Sequence, residues 1–531
     1  FYFTLILMYS LIIWIADAAI LYYWGTHINS QAISYLSYPQ QLLNSVSISI
    51  LIVTFIGIIL AGFLICKILL RGLNSKSNHL ELVTKNMAFQ MLFFIALIIT
   101  ARGGLSKVPL TLTDPYRSEN EKVNIMGVNA FWNVNYQLFS APKYPEIAHL
   151  IGKDFFNARL NEAYAPKKSP STDSNENPRL LAPKNLVIII LEGISAQTSF
   201  LLGGTHYNGL PKLDSWSQKW GRGHSHCYAT GDRTDKGLVS IFSGWPGQPW
   251  QGILHEPDRF KKLPHLMDIF SKKGFRTHFF YGGDVNFANM RAYMSGGGTQ
   301  EIWDKTRLDQ NSKTGNWGVH DSDVLSQMYE VLAQQKEPYL ASVLTLSSHE
   351  PYDVVNIQKN NEIEKYYASV SYVDNSLDAF FKKCFTDHRF DETCFLVISD
   401  HGKYLGTEET HYGQREFFRI PFYLLGKSVN YRIPEIKTNC FSQADIYNSI
   451  RDWYFEEIDV RAKYSRSIFR KEHPGNAVFH LFEVAGIIQK DRIDWMSTNP
   501  KLIEAEKPLN TLDSAILSLE SEIISDFFHL R

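Results

Sequence analysis

Cysteine is scarce in this 531-residue chain, neither sign of charge is in excess, and no internal repeat of useful length is present. Its five cysteines, Cys66, Cys227, Cys384, Cys394 and Cys440, are too few and too scattered for a metal knuckle or a dense disulfide framework. Lys+Arg at 53 against Asp+Glu at 54 leaves a formal net charge of -1. The basic excess needed to hold nucleic-acid phosphates is missing, so no nucleic-acid partner is expected. The hydrophobic content of 45% excludes a disordered chain, and the length allows several domains.

What the sequence has in quantity is apolar residues near its amino end. Residues 1–24 form an apolar run with one ionisable residue, Asp17, long enough to cross a bilayer. Residues 46–66 make a second run with no charge and no polar face, unlike a buried core helix. A third, Met87–Ala101, is short and must borrow from its flanks. A cleavable signal peptide fits poorly, because further spans follow. The chain opens at Phe1 inside a hydrophobic stretch, which leads us to expect more spans ahead of it. The first loop lacks Lys and Arg, whereas the second carries Lys67, Arg71, Lys76 and Lys85 and so belongs in the cytoplasm. Everything after Arg102 then lies outside, and Arg102 and Lys107 are outweighed. Asp17 is a functional candidate by its membrane position, but near the outer end a solvated or helix-paired acid is the simpler reading.

Three regions follow. Residues 1–101 are transmembrane helices. Residues 102–184 are extracytoplasmic connecting helices, expected around FWNVNYQLF and PEIAHLIGKDFFNARL, with a linker rich in Pro, Ser and Asn from Ala163 to Lys184. Residues 185–531 are a soluble domain. It opens on NLVIIILE, a continuous β-branched run of the kind that both faces of a parallel sheet bury. THFFYG, YLASVLTL, CFLVISD and IPFYLLG resemble it, with helical stretches such as KLPHLMDIFSKKG and YYASVSYVDNSLDAFFKKCF between. Strand alternating with helix implies an α/β fold with a mainly parallel sheet flanked by helices.

In such sheets ligands sit beyond the carboxyl ends of the strands. Glu192 ends the first run, Asp284 follows the second, His349 the third, and Asp400 with His401 the fourth. Singly, these read as a solvated strand end, a turn residue or a helix cap; together at one edge they read as a site. In ATGDRTDKGLVSIFSGWPG, glycines and Asp232 make a turn into a helix that begins near Thr234. An ordinary Thr cap belongs there, and on the residues alone the cap is the default. A hydroxyl at a helix amino end can also attack a bound phosphate whose charge the free amides stabilise. A divalent ion held by Glu192, Asp400 and His401 would activate it.

The order LEGISAQ, GDRTDKG, FFYGGDVNFANMR, TLSSHEPY, VISDHG resembles the membrane phosphoglycerol transferases of the lipoteichoic acid synthase type, in the alkaline phosphatase and sulfatase superfamily. The resemblance spans the apolar runs and residues 185 to about 455. It implies that Thr234 is the nucleophile, and that Glu192, Thr234, Asp400 and His401 bind one divalent metal, typically manganese, with magnesium or zinc as alternatives. Asp284 and Arg291 fall where the family holds glycerophosphate, and His349 matches its substrate-pocket histidine. The implied reaction moves phosphoglycerol from phosphatidylglycerol, a phospholipid donor in the membrane, to Thr234 and then to an envelope glycan or glycolipid. The implied location is the bacterial cytoplasmic membrane, multi-pass, with the catalytic domain extracytoplasmic. SRSIF and NAVFHLFEVAGIIQKDRIDWM look like the short antiparallel strands that close this superfamily's domain, and LDSAILSLESEIISDFFHL reads as an amphipathic helix.

The chain departs from the best-known members in two places. They have His-Gly-Asp where Gly282, Gly283 and Asp284 stand, and a Trp at the position of Asn289. Both differences fall in the headgroup pocket. A formylglycine sulfatase needs a C/S-x-P-x-R context, which is absent. A phosphoethanolamine transferase would use the same Thr with extra histidines for a second zinc, for which His224, His226 and His411 are the candidates. A non-catalytic sensor would not need the Glu, Thr, Asp and His set intact. In an oxidising compartment Cys384 and Cys394 could pair, with a reduced, buried Cys394 as the equal alternative.

Overall fold

The computed structural model describes residues 2–24, 27–28, 32–33, parts of 56–67, 91–96, 126–139, and 182–497 with short gaps at 206, 249–251, 256–259, 261, 355–360, 412, 428–432 and 482–483. The chain divides into two compact units, Phe1–Lys143 and Tyr144–Arg531.

In the first unit, α1 (Tyr2–Trp24) and α2 (Ala130–Phe139) are helices where the sequence predicts them. Asp17 is buried, accepting from His27 Nδ1 at 2.6 Å and from the Ile28 amide at 2.8 Å, so it is the paired acid of the simpler reading. Among the described residues no helix is long and apolar enough to cross a membrane; side chains of α1 are described over 6–22 alone. The second and third apolar runs, the helix expected at 145–160, the linker and the terminal helix fall mostly or wholly outside the described residues.

The second unit is built on a seven-stranded sheet beside a small three-stranded one made of β3 (Cys227–Tyr228), β8 (Arg419–Ile420) and β10 (Phe441–Ser442). The strands of the larger sheet are β1 (Asn185–Leu191), β2 (Gly221–Gly223), β4 (Arg276–Tyr281), β5 (Glu301–Trp303), β6 (Tyr339–Leu344), β7 (Thr393–Ser399) and β9 (Phe422–Leu425), in the order β2-β9-β7-β1-β6-β4-β5. From β7 to β5 all neighbours are parallel. β9, the IPFYLLG run, is antiparallel to β7, as β2 is to β9. Leu186, Ile188 and Ile190 face one core and Val187, Ile189 and Leu191 the other, which is why β1 is apolar without alternation. The first core is covered by α3 (Thr234–Ser243), α4 (Leu266–Lys272) and α6 (Asp445–Phe455), the second mainly by α5 (Glu362–Thr386).

A three-stranded antiparallel sheet, β11 (Asn476–Leu481), β12 (Val484–Gln489) and β13 (Arg492–Ser497), closes the domain as expected. SRSIF forms no strand; it lies in turns, with the Ser465 hydroxyl capturing the Asn448 amide. Cys384 and Cys394 do not pair. Both are free and buried, and they belong to the two cores on opposite faces of the sheet.

Candidate functional site

Register fixes the centre of the site. Leu191 of β1 lies beside Ser399 of β7, so the residues that follow them, Glu192 and Asp400, leave the sheet as neighbours. The Asp400 carboxylate accepts from the Gly193 amide at 2.8 Å and the His401 amide at 2.7 Å, and no helix follows for it to cap. The amide of Glu192 donates to Thr345 Oγ1 at 2.9 Å, and Ser348 Oγ donates to its carbonyl at 2.6 Å. The loop after β6 therefore locks the end of β1.

α3 approaches this edge with Thr234 as its first residue. The cap position is taken by Arg233, which makes no side-chain capping bond, so Thr234 is not a cap. Its hydroxyl instead donates to Glu192 Oε2 at 3.0 Å, and this replaces the default reading from sequence. The approach needs Gly237, where a Cβ would lie 2.3 Å from the Asp400 carbonyl oxygen. Gln443 ties the two loops together, donating to the Asp400 carbonyl at 2.8 Å and accepting from the Thr230 amide at 3.0 Å. Lys236, buried beneath the turn, pairs with Asp232 at 2.9 Å.

Glu192, Asp400 and His401 thus offer ligand atoms within 4.8 Å of one another. His401 Nε2 stands 3.4 Å from Glu192 Oε1 and 3.7 Å from Asp400 Oδ2, separations too long for strong hydrogen bonds. Asp400 Oδ2 is enclosed without any hydrogen-bond partner, a costly condition for a carboxylate. His401 Nδ1 lies 2.8 Å from the Gly402 carbonyl oxygen, where it can only donate, which turns the lone pair of Nε2 toward the carboxylates. The set fits a divalent cation. The acidities carry the same strain. Burial, reinforced by Glu192, pushes Asp400 up to about 7. Burial acts against the charged form of Glu192 too, but His401 overcomes it and holds that carboxyl down at about 2. Burial also opposes the His401 cation, yet the two carboxylates raise it to about 9.

The residues expected around the headgroup are placed differently. Asp284 accepts from the Asn286 amide at 3.0 Å and pairs with Lys305 at 3.3 Å. Arg291 reaches Asp304 at 2.5 Å and Asn286 Oδ1 at 2.9 Å. His349 donates from Nδ1 to the Glu350 carbonyl at 2.7 Å and lies against Trp317 with centroids 4.4 Å apart and the rings tilted by 54°. Asn289 adopts φ 59, a left-handed conformation that suits Asn better than Trp, and its amide is bonded to the Leu254 carbonyl. Sequence reasoning did not anticipate Trp317, Lys305, Gln443 or Asp321, whose carboxylate receives the amides of Leu346 and Ser347 at 2.8 and 2.9 Å. None sits in a motif; each acts from a loop or, for Asp321, a helix start brought in by tertiary structure. His224, His226 and His411 assemble no metal cluster among the described residues.

The sulfatase family matches residues 184–454, about half of the chain. Lipoteichoic acid synthase 2 of Bacillus subtilis (strain 168) is 23% identical over 195 residues, covering 33% of this chain and 30% of that protein. A lipoteichoic acid synthase of Staphylococcus aureus (strain bovine RF122 / ET3-1) is 25% identical over 247 residues, covering 43% and 37%. The chain thus matches only about a third of the length of these relatives. A protein in the alkaline phosphatase superfamily from Vibrio parahaemolyticus shares the fold at a TM-score of 0.56 and 22% identity, over 71% of this chain and 96% of that one. The lipoteichoic acid synthase LtaP from Listeria monocytogenes does so at 0.53 and 17%, over 70% and 97%. By the family match the chain belongs to the sulfatase family, and the relatives it is similar to in sequence include lipoteichoic acid synthases.

Proposed function

We propose that this chain is a membrane-anchored, metal-dependent transferase that moves phosphoglycerol from phosphatidylglycerol through a phospho-threonine at Thr234 to an envelope glycan or glycolipid. The observation that carries the reading is the direction of one hydroxyl: Thr234 Oγ1 turns away from the amides of its own helix and toward Glu192. Glu192, Asp400 and His401 would hold the divalent ion, whose charge favours ionisation of a hydroxyl and balances a phosphoryl group; the hard ligand set suits manganese or magnesium, with zinc as a further option.

The protein's own part follows. Thr234 presents its proton to Glu192 Oε2, leaving its lone pairs for the phosphorus, and the amino end of α3 favours the negative charge of the ester. The Thr234 oxygen–phosphorus bond forms as the bond to diacylglycerol breaks, and the proton that Thr234 gave to Glu192 passes to the departing oxygen. An acceptor hydroxyl then attacks the same phosphorus, and Thr234 returns to its hydroxyl form. Asp284, already balanced by Lys305, suits the hydroxyls of a polyol better than the ammonium of ethanolamine. The catalytic unit stands outside the bacterial cytoplasmic membrane on this reading, carried by the apolar runs of residues 1–101.

Thr234→Ala decides the matter. Diacylglycerol release from labelled phosphatidylglycerol should fall below detection, while stability changes by no more than about 1 kcal/mol, since no capping bond is lost. Label should appear on the parent protein and not on the variant. A folded variant that releases diacylglycerol at the parental rate would remove the covalent route.

A further inference from the structure

β4 ends on Tyr281, whose ring joins the core that α3 covers and whose register partner on β6 is Leu344. The residue is 5% exposed, and its hydroxyl makes no hydrogen bond to any described residue. Four carboxylates act electrostatically on this phenol: Glu192 and Asp400 from the Thr234 cluster, Asp284 from the loop beyond β4, and Asp321. Its strand ends level with Leu344 of β6, and Leu344 lies level with Ile190, two residues before Glu192, while Asp284 follows three residues after Tyr281. Burial and these carboxylates keep it well above its usual pKa, so it stays protonated.

The two glycines that follow leave this oxygen clear. A Cβ on Gly283 would lie 2.8 Å from it and 2.7 Å from the ring, and a Cβ on Gly282 would lie 2.2 Å from the Val319 carbonyl oxygen. In this backbone position 282 is closed to a side chain, and the polar group facing the site comes from the residue before it. Packing alone does not call for a hydroxyl here. An unpaired one in a core costs stability, and the same strand carries Phe279 and Phe280.

We propose that Tyr281 is a catalytic hydrogen-bond donor to a non-bridging oxygen of the phosphate ester bound between the Thr234 cluster and Asp284. This rests on the site being a phosphate-ester centre, as proposed above. The phenol keeps its proton throughout, and no bond is made or broken at its oxygen.

Tyr281→Phe tests this, because it removes one atom and keeps the ring. In the full chain loaded with manganese, calorimetry with inorganic phosphate should show Kd raised about tenfold. On phosphatidylglycerol, kcat should drop about ten- to a hundredfold with a smaller change in KM. The melting temperature should hold or rise and the metal content should stay the same, which a structural role for the hydroxyl would not give. Gly283→Ala, which sets a methyl against the oxygen, should weaken phosphate binding in the same way. Phosphate affinity within twofold of the parent in folded, metal-loaded Tyr281→Phe overturns the proposal. If the parent never turns over phosphatidylglycerol, the lipid reading fails while the phosphate measurement still decides Tyr281.

Discussion

The two halves of the site are built on different principles. Around Thr234, the carboxylates Glu192 and Asp400 leave strand ends held in register, lie buried, and include an oxygen with no hydrogen-bond partner. Around Asp284, they sit on loops and at the start of a short helix, are partly exposed except for the buried Asp304, and have their charges paired: Asp284 with Lys305, Arg291 with Asp304, Glu350 with Lys403. The first half gathers two carboxylates and an imidazole whose charge a divalent ion would balance. The second is neutralised by the protein itself and can change without disturbing the first. Chemistry is thus tied to the fold, and selectivity to loops that the fold tolerates in several forms.

If that division is right, the largest effect belongs to the ligands. Asp400→Ala or His401→Ala should abolish turnover and weaken metal binding more than about a hundredfold, since removing a mere supporting partner of a ligand already costs that much. Metal analysis of the purified variants checks it, with Arg291→Ala as the control that keeps its metal. Gly237→Ala comes next. Its methyl would meet the Asp400 carbonyl at 2.3 Å, so α3 must shift away from β7. Stability should fall by about 1–3 kcal/mol. Turnover should fall about a hundredfold, because the nucleophile moves relative to the ligands. An unchanged rate would mean that the spacing between helix and strand is not what aligns Thr234.

The same division explains what the sequence disclosed. β1, β4, β6 and β7 could be recognised because strands buried on both faces must be apolar throughout, and their carboxyl ends named Glu192, Asp284, His349 and Asp400. Strand direction is not written in composition, so the antiparallel β9 looked like its neighbours. Which core a side chain enters depends on strand parity and helix phase, which separated Cys384 from Cys394. Thr234 could not be told from a cap, because the choice between an amide and Glu192 is made by a contact 42 residues away in the chain. Gln443, Asp321 and Trp317 act across similar distances and leave no local pattern.

Asp321 joins the two halves, since it anchors the loop that locks Glu192 and carries His349. Burial, only partly offset by the two amides it accepts, pushes its carboxyl from 3.8 to about 6. A carboxyl whose folded pKa is raised favours folding when protonated. Its contribution is therefore complete below pH 4 and is lost as the pH rises through 6, about 3 kcal/mol in all. In Asp321→Asn this component of the stability change between about pH 4 and 6 should vanish, as denaturant titrations at several pH values would reveal. A slope identical to the parent's would place the titration elsewhere.

The smallest expected effect sharpens the comparison most, because it asks whether the second half is as separable as its geometry implies. Lys305 is 38% exposed and Asp284 27%, and the pair at 3.3 Å is of the screened, solvent-accessible kind. Lys305→Ala should leave folding, metal content and labelling of Thr234 as they are. What should change is preference: with its charge released, Asp284 can attract an ammonium, so the ratio of phosphatidylethanolamine to phosphatidylglycerol turnover should rise about two- to fivefold. The shift should shrink in high salt, as an exposed charge requires. Loss of metal, or a rate change approaching that of Gly237→Ala, would show that the loop charges support the catalytic cluster and that the two halves are one unit.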